Sequence, residues 1–150
     1  MPESSEALPR LVGLNHIALE VGDVEDALTF YGKLFNINLR GRGHGRAFID
    51  MGDQFIALFE GESRVTDDHR HIGLVVDDKA AVRERLGQLR IKILSDRFLD
   101  FRDPWGNRVQ IIDYADIQFT KAPAVLKAMG LAGIEKSADA SKQLREKGMM

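Results

Sequence analysis

The chain says nearly the same thing twice. Asn15-His16-Ile17-Ala18-Leu19 returns 55 residues later as Arg70-His71-Ile72-Gly73-Leu74, and the same gapless offset lays Val21 on Val76, Asp23 on Asp78, Gly32 on Gly87, Leu34 on Leu89 and Leu39 on Leu94. Self-similarity at a fixed offset marks two copies of one supersecondary unit. A histidine opens each copy at the same point. A pseudo-twofold relating the copies would bring both imidazoles to one place, and function is to be sought there.

Each copy reads as a strand, a helix and three further strands. In the first, residues 14–21 are β-rich, with Leu14, His16, Ala18 and Glu20 on one face and Ile17, Leu19 and Val21 on the other. Gly22-Asp23 ends the strand and Asp23 supplies an N-cap, after which Val24, Ala27, Leu28, Tyr31, Leu34 and Phe35 recur at helical spacing. Residues 37–40, 46–51 and 54–60 read as strands, the last two joined by a Gly52-Asp53 turn. Between the first two, Gly41-Arg42-Gly43-His44-Gly45-Arg46 reads as a solvated glycine loop, with an anion clamp involving Arg40 as its functional alternative. In the second copy residues 71–76, 91–94, 98–102 and 108–114 read as strands, Asp78 as a cap, and Val82, Leu86 and Leu89 as a weaker helical stripe. The expected architecture is α+β, two tandem βαβββ modules over residues 11–60 and 69–116 that form a curled mixed sheet, an open cup. Residues 1–10 read as a polar tail, 61–68 as a linker, and 117–150 as a helical C-terminal extension outside the doubled fold.

Composition narrows the functional classes. A net charge of −2 gives no electrostatic case for nucleic acid or an anionic membrane. No apolar run approaches the roughly 20 residues of a bilayer span, and the first ten residues lack a signal-peptide core, so a cytoplasmic protein is the default expectation. Cysteine is absent, which excludes disulfides, thiolate metal sites and a cysteine nucleophile. No serine, threonine or lysine stands in a recognisable nucleophile arrangement. Catalysis on such a chain is therefore expected to be Lewis-acid chemistry on a small molecule.

His-Ile-Ala-Leu opening the first copy, His-Ile-Gly-Leu-Val-Val-Asp-Asp opening the second and Phe-Arg-Asp-Pro-Trp-Gly-Asn-Arg-Val closing it resemble the vicinal oxygen chelate superfamily over residues 11–116. That group includes glyoxalase I, methylmalonyl-CoA epimerase, fosfomycin-modifying thiol transferases, extradiol dioxygenases and bleomycin-resistance proteins. The resemblance implies metal ligands at His16 and His71, one from the first strand of each module. It implies a third, usually glutamate, where this chain has Gln110. Four-ligand members add a carboxylate or amide at a position that maps to Ala57. The two histidines are kept, one carboxylate has become an amide, and the other is gone.

Two imidazoles and an amide oxygen suit zinc, manganese, nickel, cobalt or iron. All three donors are neutral, so a divalent ion would keep its full charge and be weakly held unless substrate or hydroxide offsets it. A metal site and a hydrogen-bonded relic of one stand level on the residues alone. Glu60 is the replacement carboxylate to weigh, although strand parity sets it on the face opposite Ala57. Glu20 shares the parity of His16 about 13 Å along the strand, at ~3.3 Å per residue, and suits a rim acid. Tyr114 shares the parity of Gln110 and is a candidate hydrogen-bond donor to substrate, with filling a core as the commoner role of such a tyrosine. His69 and His44 read as peripheral.

The resulting expectation is a metal-dependent isomerase or lyase of a small vicinal-oxygen substrate, with a homodimer compatible with the pattern. The alternative is a metal-free binder of a drug or metabolite, of the bleomycin-resistance type. A non-catalytic domain that keeps the fold is the third reading.

Overall fold

Two aspartates start the two principal helices in the same way. The Asp23 side chain accepts from the backbone N–H of Asp26 (2.9 Å) ahead of α1 (Val24–Leu34), and Asp78 accepts from Ala81 (3.0 Å) ahead of α2 (Lys79–Gln88). Each satisfies a donor that the first helical turn leaves without an intrahelical partner. The structure, a computed structural model, describes residue 8 and residues 14–62, 65–95 and 97–150. Most of the expected polar tail, the start of module one and the middle of the linker lie outside these. α1 lies between β1 (His16–Val21) and a run of β2 (Leu39–Gly43), β3 (Arg46–Asp50) and β4 (Phe55–Glu60). α2 lies between β5 (Ile72–Val76) and the pair β6 (Leu99–Arg102) and β7 (Arg108–Asp113). The sheets run β1-β4-β3-β2 and β5-β7-β6, and in both the opening strand pairs in parallel with the closing one. The fold is mixed α+β with two open sheets, as the repeat implies.

The likeness of the halves reaches single atoms. At the end of β4, Glu60 Oε1 accepts from the N–H of Val24 (3.1 Å), and at the end of β7, Asp113 Oδ2 accepts from the N–H of Lys79 (3.3 Å). Register matches as well. Ala18 stands opposite Ala57 in the first sheet, and Gly73 opposite Gln110 in the second. Ala57 is thus the counterpart of Gln110.

Two expected details differ. Residues 91–94 form no strand among the described elements, so the second sheet has three strands, not four. Beside β6 this segment makes one backbone bond, Leu94 N–H to Asp100 O (2.8 Å), before the Ser95 hydroxyl accepts from Arg97 and Phe98 and turns the chain. A single bond is not a ladder. The expected loop 41–46 is instead largely ladder, with Arg42 opposite Ala47 and Gly43 opposite Arg46. Only His44-Gly45 turn, Gly45 at φ +65°. Arg40 and Arg42 pair with Asp50 and Glu25, so both arginines already have acidic partners in this chain.

α1 buries Val24, Ala27, Tyr31 and Leu34, a three-four spacing that faces the first sheet, whereas α2 buries only Val82 and Leu86. These join Leu19, Leu58, Leu74, Phe101 and Ile111 in one core cluster that spans both halves. The Asp-Pro-Trp-Gly-Asn turn ties the halves together. Asp103 accepts from the N–H groups of Trp105 and Asn107 and from the Tyr31 hydroxyl (2.7 Å), and the Asn107 amide donates to Glu20 O (2.8 Å). Gly106 sits at φ +87°, with Thr66 Cα 3.0 Å from where a Cβ would stand. The motif that carries much of the resemblance is therefore structural.

Beyond β7 come a 3-10 turn (Tyr114–Asp116), α3 (Pro123–Ala128) and α4 (Ala138–Glu146). α4 buries Ala140 and Leu144. Met129 and Val125 pack on Gly52, and Lys121 pairs with Asp53 of the same turn. No described helix is long and apolar enough to cross a membrane.

Candidate functional site

Alternation gives each sheet two faces. Leu19, Val21, Ile56 and Leu58 face the helices and core in the first sheet, and Leu74, Val109 and Ile111 do so in the second. The opposite, outer face of the first sheet carries His16, Ala18 and Glu20 on β1 with Phe55, Ala57 and Phe59 opposite them on β4. Gly73, Gln110 and Asp100 form one cross-strand row on the outer face of the second sheet. His71 stands two residues before Gly73, one step ahead of β5, and is exposed.

The imidazoles share one arrangement. His16 Nδ1 bonds Asn15 Oδ1 (2.9 Å) while its ring stacks on Phe55, centroids 4.8 Å apart at 11°. His71 Nδ1 bonds the carbonyl of His69 (2.7 Å). With the hydrogen on Nδ1, each contact is a donation to an oxygen and Nε2 keeps its lone pair. The neutral donor set His16, His71 and Gln110 fits a divalent ion chemically on that basis. Among the described residues of one chain, no three His, Cys, Asp or Glu side chains gather closely enough to hold a metal ion.

The other candidates fall elsewhere. Glu60, on the helix-side parity that the alternation demanded, caps α1. Glu20 lies exposed on the face of His16 at the far end of β1. β7 ends at Asp113, so Tyr114 leaves the alternation that linked it to Gln110 and turns into the fold. It is 6% exposed, edge-on to Phe119, with Lys136 Nζ 3.5 Å over its ring. Partial burial lowers the pKa of that Lys136 ammonium.

A cavity of about 910 Å³ opens beside these residues. Its walls are Ile17, Ile56 and Leu74 on one side and Phe119, Met129 and Leu131 of the C-terminal extension on the other, with His16 also lining it. Gly73 and Ile112 reach it, whereas His71 and Gln110 do not. Residues 117–134 therefore form a wall that the pattern of the doubled fold gave no sign of.

Asp100 was also missed. It is 3% exposed, and Arg108 donates to its Oδ2 through Nε (2.8 Å) and Nη2. The signal was available in the hairpin: a turn that pairs residue 102 with 108 must pair 100 with 110.

Three comparisons bear on this arrangement. A family model described as the Glyoxalase/Bleomycin resistance protein/Dioxygenase superfamily matches residues 13–111. Glutathione transferase FosA of Serratia marcescens is 26% identical over 113 residues, covering 67% of this chain and 80% of that protein. Metallothiol transferase FosB of Lysinibacillus sphaericus is 28% identical over 96 residues, covering 60% and 68%. Among solved structures, the fosfomycin resistance protein FosX of Listeria monocytogenes superposes with a TM-score of 0.60 at 20% identity over 68% of this chain and 91% of that one. A variant of it was solved with Mn(II) and 1S,2S-dihydroxypropylphosphonic acid. Lactoylglutathione lyase of Agrobacterium tumefaciens gives 0.56 at 23% identity, over 71% and 96%. The solved structures share the fold.

Proposed function

The chain belongs to the glyoxalase/bleomycin resistance protein/dioxygenase superfamily, and from that membership we propose that it is a divalent-metal-dependent enzyme acting on a small molecule with two neighbouring oxygens. His16, His71 and Gln110 would hold the ion. The observation that carries the reading is the common setting of the two imidazoles, each with Nδ1 at hydrogen-bond distance from an oxygen, 2.9 Å for His16 and 2.7 Å for His71. A metal held at Nε2 needs the hydrogen on Nδ1, and metal-binding histidines usually have that outer contact. Bound there, the ion would supply Lewis-acid polarisation of substrate oxygens. The chain's own donors are neutral, so a substrate that brings negative charge fits best.

What surrounds the donors supports a reaction class. Isomerase or lyase chemistry by proton abstraction needs a base on the outer face. Ala57 cannot be one, Glu60 caps α1, and Glu20 is about 13 Å along β1 from His16 at ~3.3 Å per residue. Addition of a thiol that arrives as its thiolate needs no carbon-acid base on the protein, since the S–C bond forms as a C–O bond of the polarised substrate breaks and the released alkoxide takes a proton from water. The transferase names of FosA and FosB favour the same choice. We therefore place group transfer from a thiol ahead of isomerisation or elimination.

The site is completed across a homodimer in this reading. β1 and β5, which carry or follow the two histidines, are both edge strands among the described elements, and an open edge invites pairing. Leu14, just ahead of β1, and Phe59, beside β1 on β4, are exposed. The apolar cavity favours a second reading, a metal-free binder of a small molecule. Manganese-dependent consumption of glutathione by tag-free protein with fosfomycin tests the proposal. Manganese binding with no thiol consumption would return the choice to isomerase or lyase, and ligand binding with no metal would favour the binder.

A further inference from the structure

Gln110 is the residue that separates this chain from the glutamate its resemblance implies, and its cross-strand neighbour is unusual. Asp100 lies directly opposite Gln110 in the antiparallel pair of β6 and β7, on the outer face with Gly73 beyond. Arg108 occupies its Oδ2, while its Oδ1 is buried without a hydrogen-bond partner, the one such side-chain atom among the described residues. A buried carboxylate oxygen left unmet costs free energy that a neighbouring donor would recover. The Gln110 amide makes no hydrogen bond to another described residue, and directly opposed side chains start only ~4.5–5.5 Å apart at Cβ. That spacing is within the span of a glutamine side chain on the same face.

We propose that Asp100 is a positioning residue for Gln110: its Oδ1 accepts from the Gln110 amide nitrogen and so turns the amide oxygen outward, to the side on which His71 stands. The inference rests on the metal site proposed above. A carboxylate held behind a ligand fixes its orientation and strengthens its donor atom. It also accounts for the amide. A glutamate at 110 would set a second carboxylate against the unmet oxygen of the buried Asp100, two like charges directly opposite across the strand pair, whereas glutamine answers that oxygen with a donor. Asp100 and Gln110 then act as a pair, and the inverted pair Asp100→Asn with Gln110→Glu is its mirror.

Two measurements test this. In the metal-free wild type, side-chain amide exchange of Gln110 followed by NMR is expected to be at least about tenfold slower than in Asp100→Asn, with the backbone spectrum otherwise kept. Free exchange in the wild type overturns the proposal, and that measurement needs no variant. Manganese titration supplies the second arm. Gln110→Glu alone is expected to gain less than about threefold in affinity, and Asp100→Asn/Gln110→Glu at least about tenfold, a difference of ~1.4 kcal/mol for each factor of ten. Equal gains in the single and double variants overturn the pairing. Protected amide protons together with no manganese binding in any variant would uphold the tie between Asp100 and Gln110 and sink the metal site on which its purpose rests.

Discussion

At the scale of single residues, the halves of this molecule are joined by a few buried polar groups. The Tyr31 hydroxyl donates to Asp103, which also gathers the N–H groups of its own turn. Burial, reinforced by the adjacent carboxylate, holds Tyr31 well above the usual tyrosine range, so it remains a donor at any pH at which the protein is handled. Removing that hydroxyl leaves Asp103 short of one donor in the core. Tyr31→Phe is expected to destabilise by about 1.5–3 kcal/mol, the range for a hydrogen bond to a charged group, with no effect on manganese affinity; denaturant melts and a titration check both halves of the statement. An unchanged midpoint would mean that water replaces the tyrosine freely.

Elements are held by caps and by the extension. Asp23 and Asp78 were legible as caps because each follows a strand and precedes a helical stripe, and the Gly52-Asp53 turn was legible from its residue types. The failed strand at 91–94 was not, since its apolar alternation is sound and only the early turn at Ser95 denies it a ladder. The parity that linked Tyr114 to Gln110 holds only while the strand continues, and β7 stops one residue short, so Tyr114 is buried. The matching positions of His16 and His71 at the opening strands were legible through the repeat, whereas Asp100 required the pairing across the hairpin to be counted. The extension's hold on the first half rests in part on Lys121 and Asp53, where the lysine's hydrogen bond lowers the aspartate pKa. A carboxyl depressed in the folded state stabilises above its unfolded value, ~3.9, and that contribution is lost as pH falls through the folded value. Protection of residues 117–134 against hydrogen exchange is therefore expected to fall below about pH 4 before that of the sheets does. Deleting residues 137–150 removes the buried Ala140 and Leu144 but nothing from the main core cluster, whose described members end at Ile111. A cooperative melt at a lower temperature is expected; loss of the transition would show that α4 belongs to the core.

For the whole molecule, the proposal makes the two sheets with their histidines parts of one metal site, closed between two chains along the open edges of β1 and β5. The most direct measurement is manganese titration of tag-free wild type, His16→Ala, His71→Ala, and the two variants unfolded and refolded together. The wild type should bind one ion per chain, and each variant alone should bind at least about tenfold more weakly, or ~1.4 kcal/mol. In the mixture, statistical re-pairing of a twofold dimer leaves about a quarter of the wild-type sites intact. Recovery of those sites is the predicted result. Wild-type protein that binds no manganese, or variants that bind it as the wild type does, would contradict the account, and failure of the mixture alone would place all three ligands within one chain.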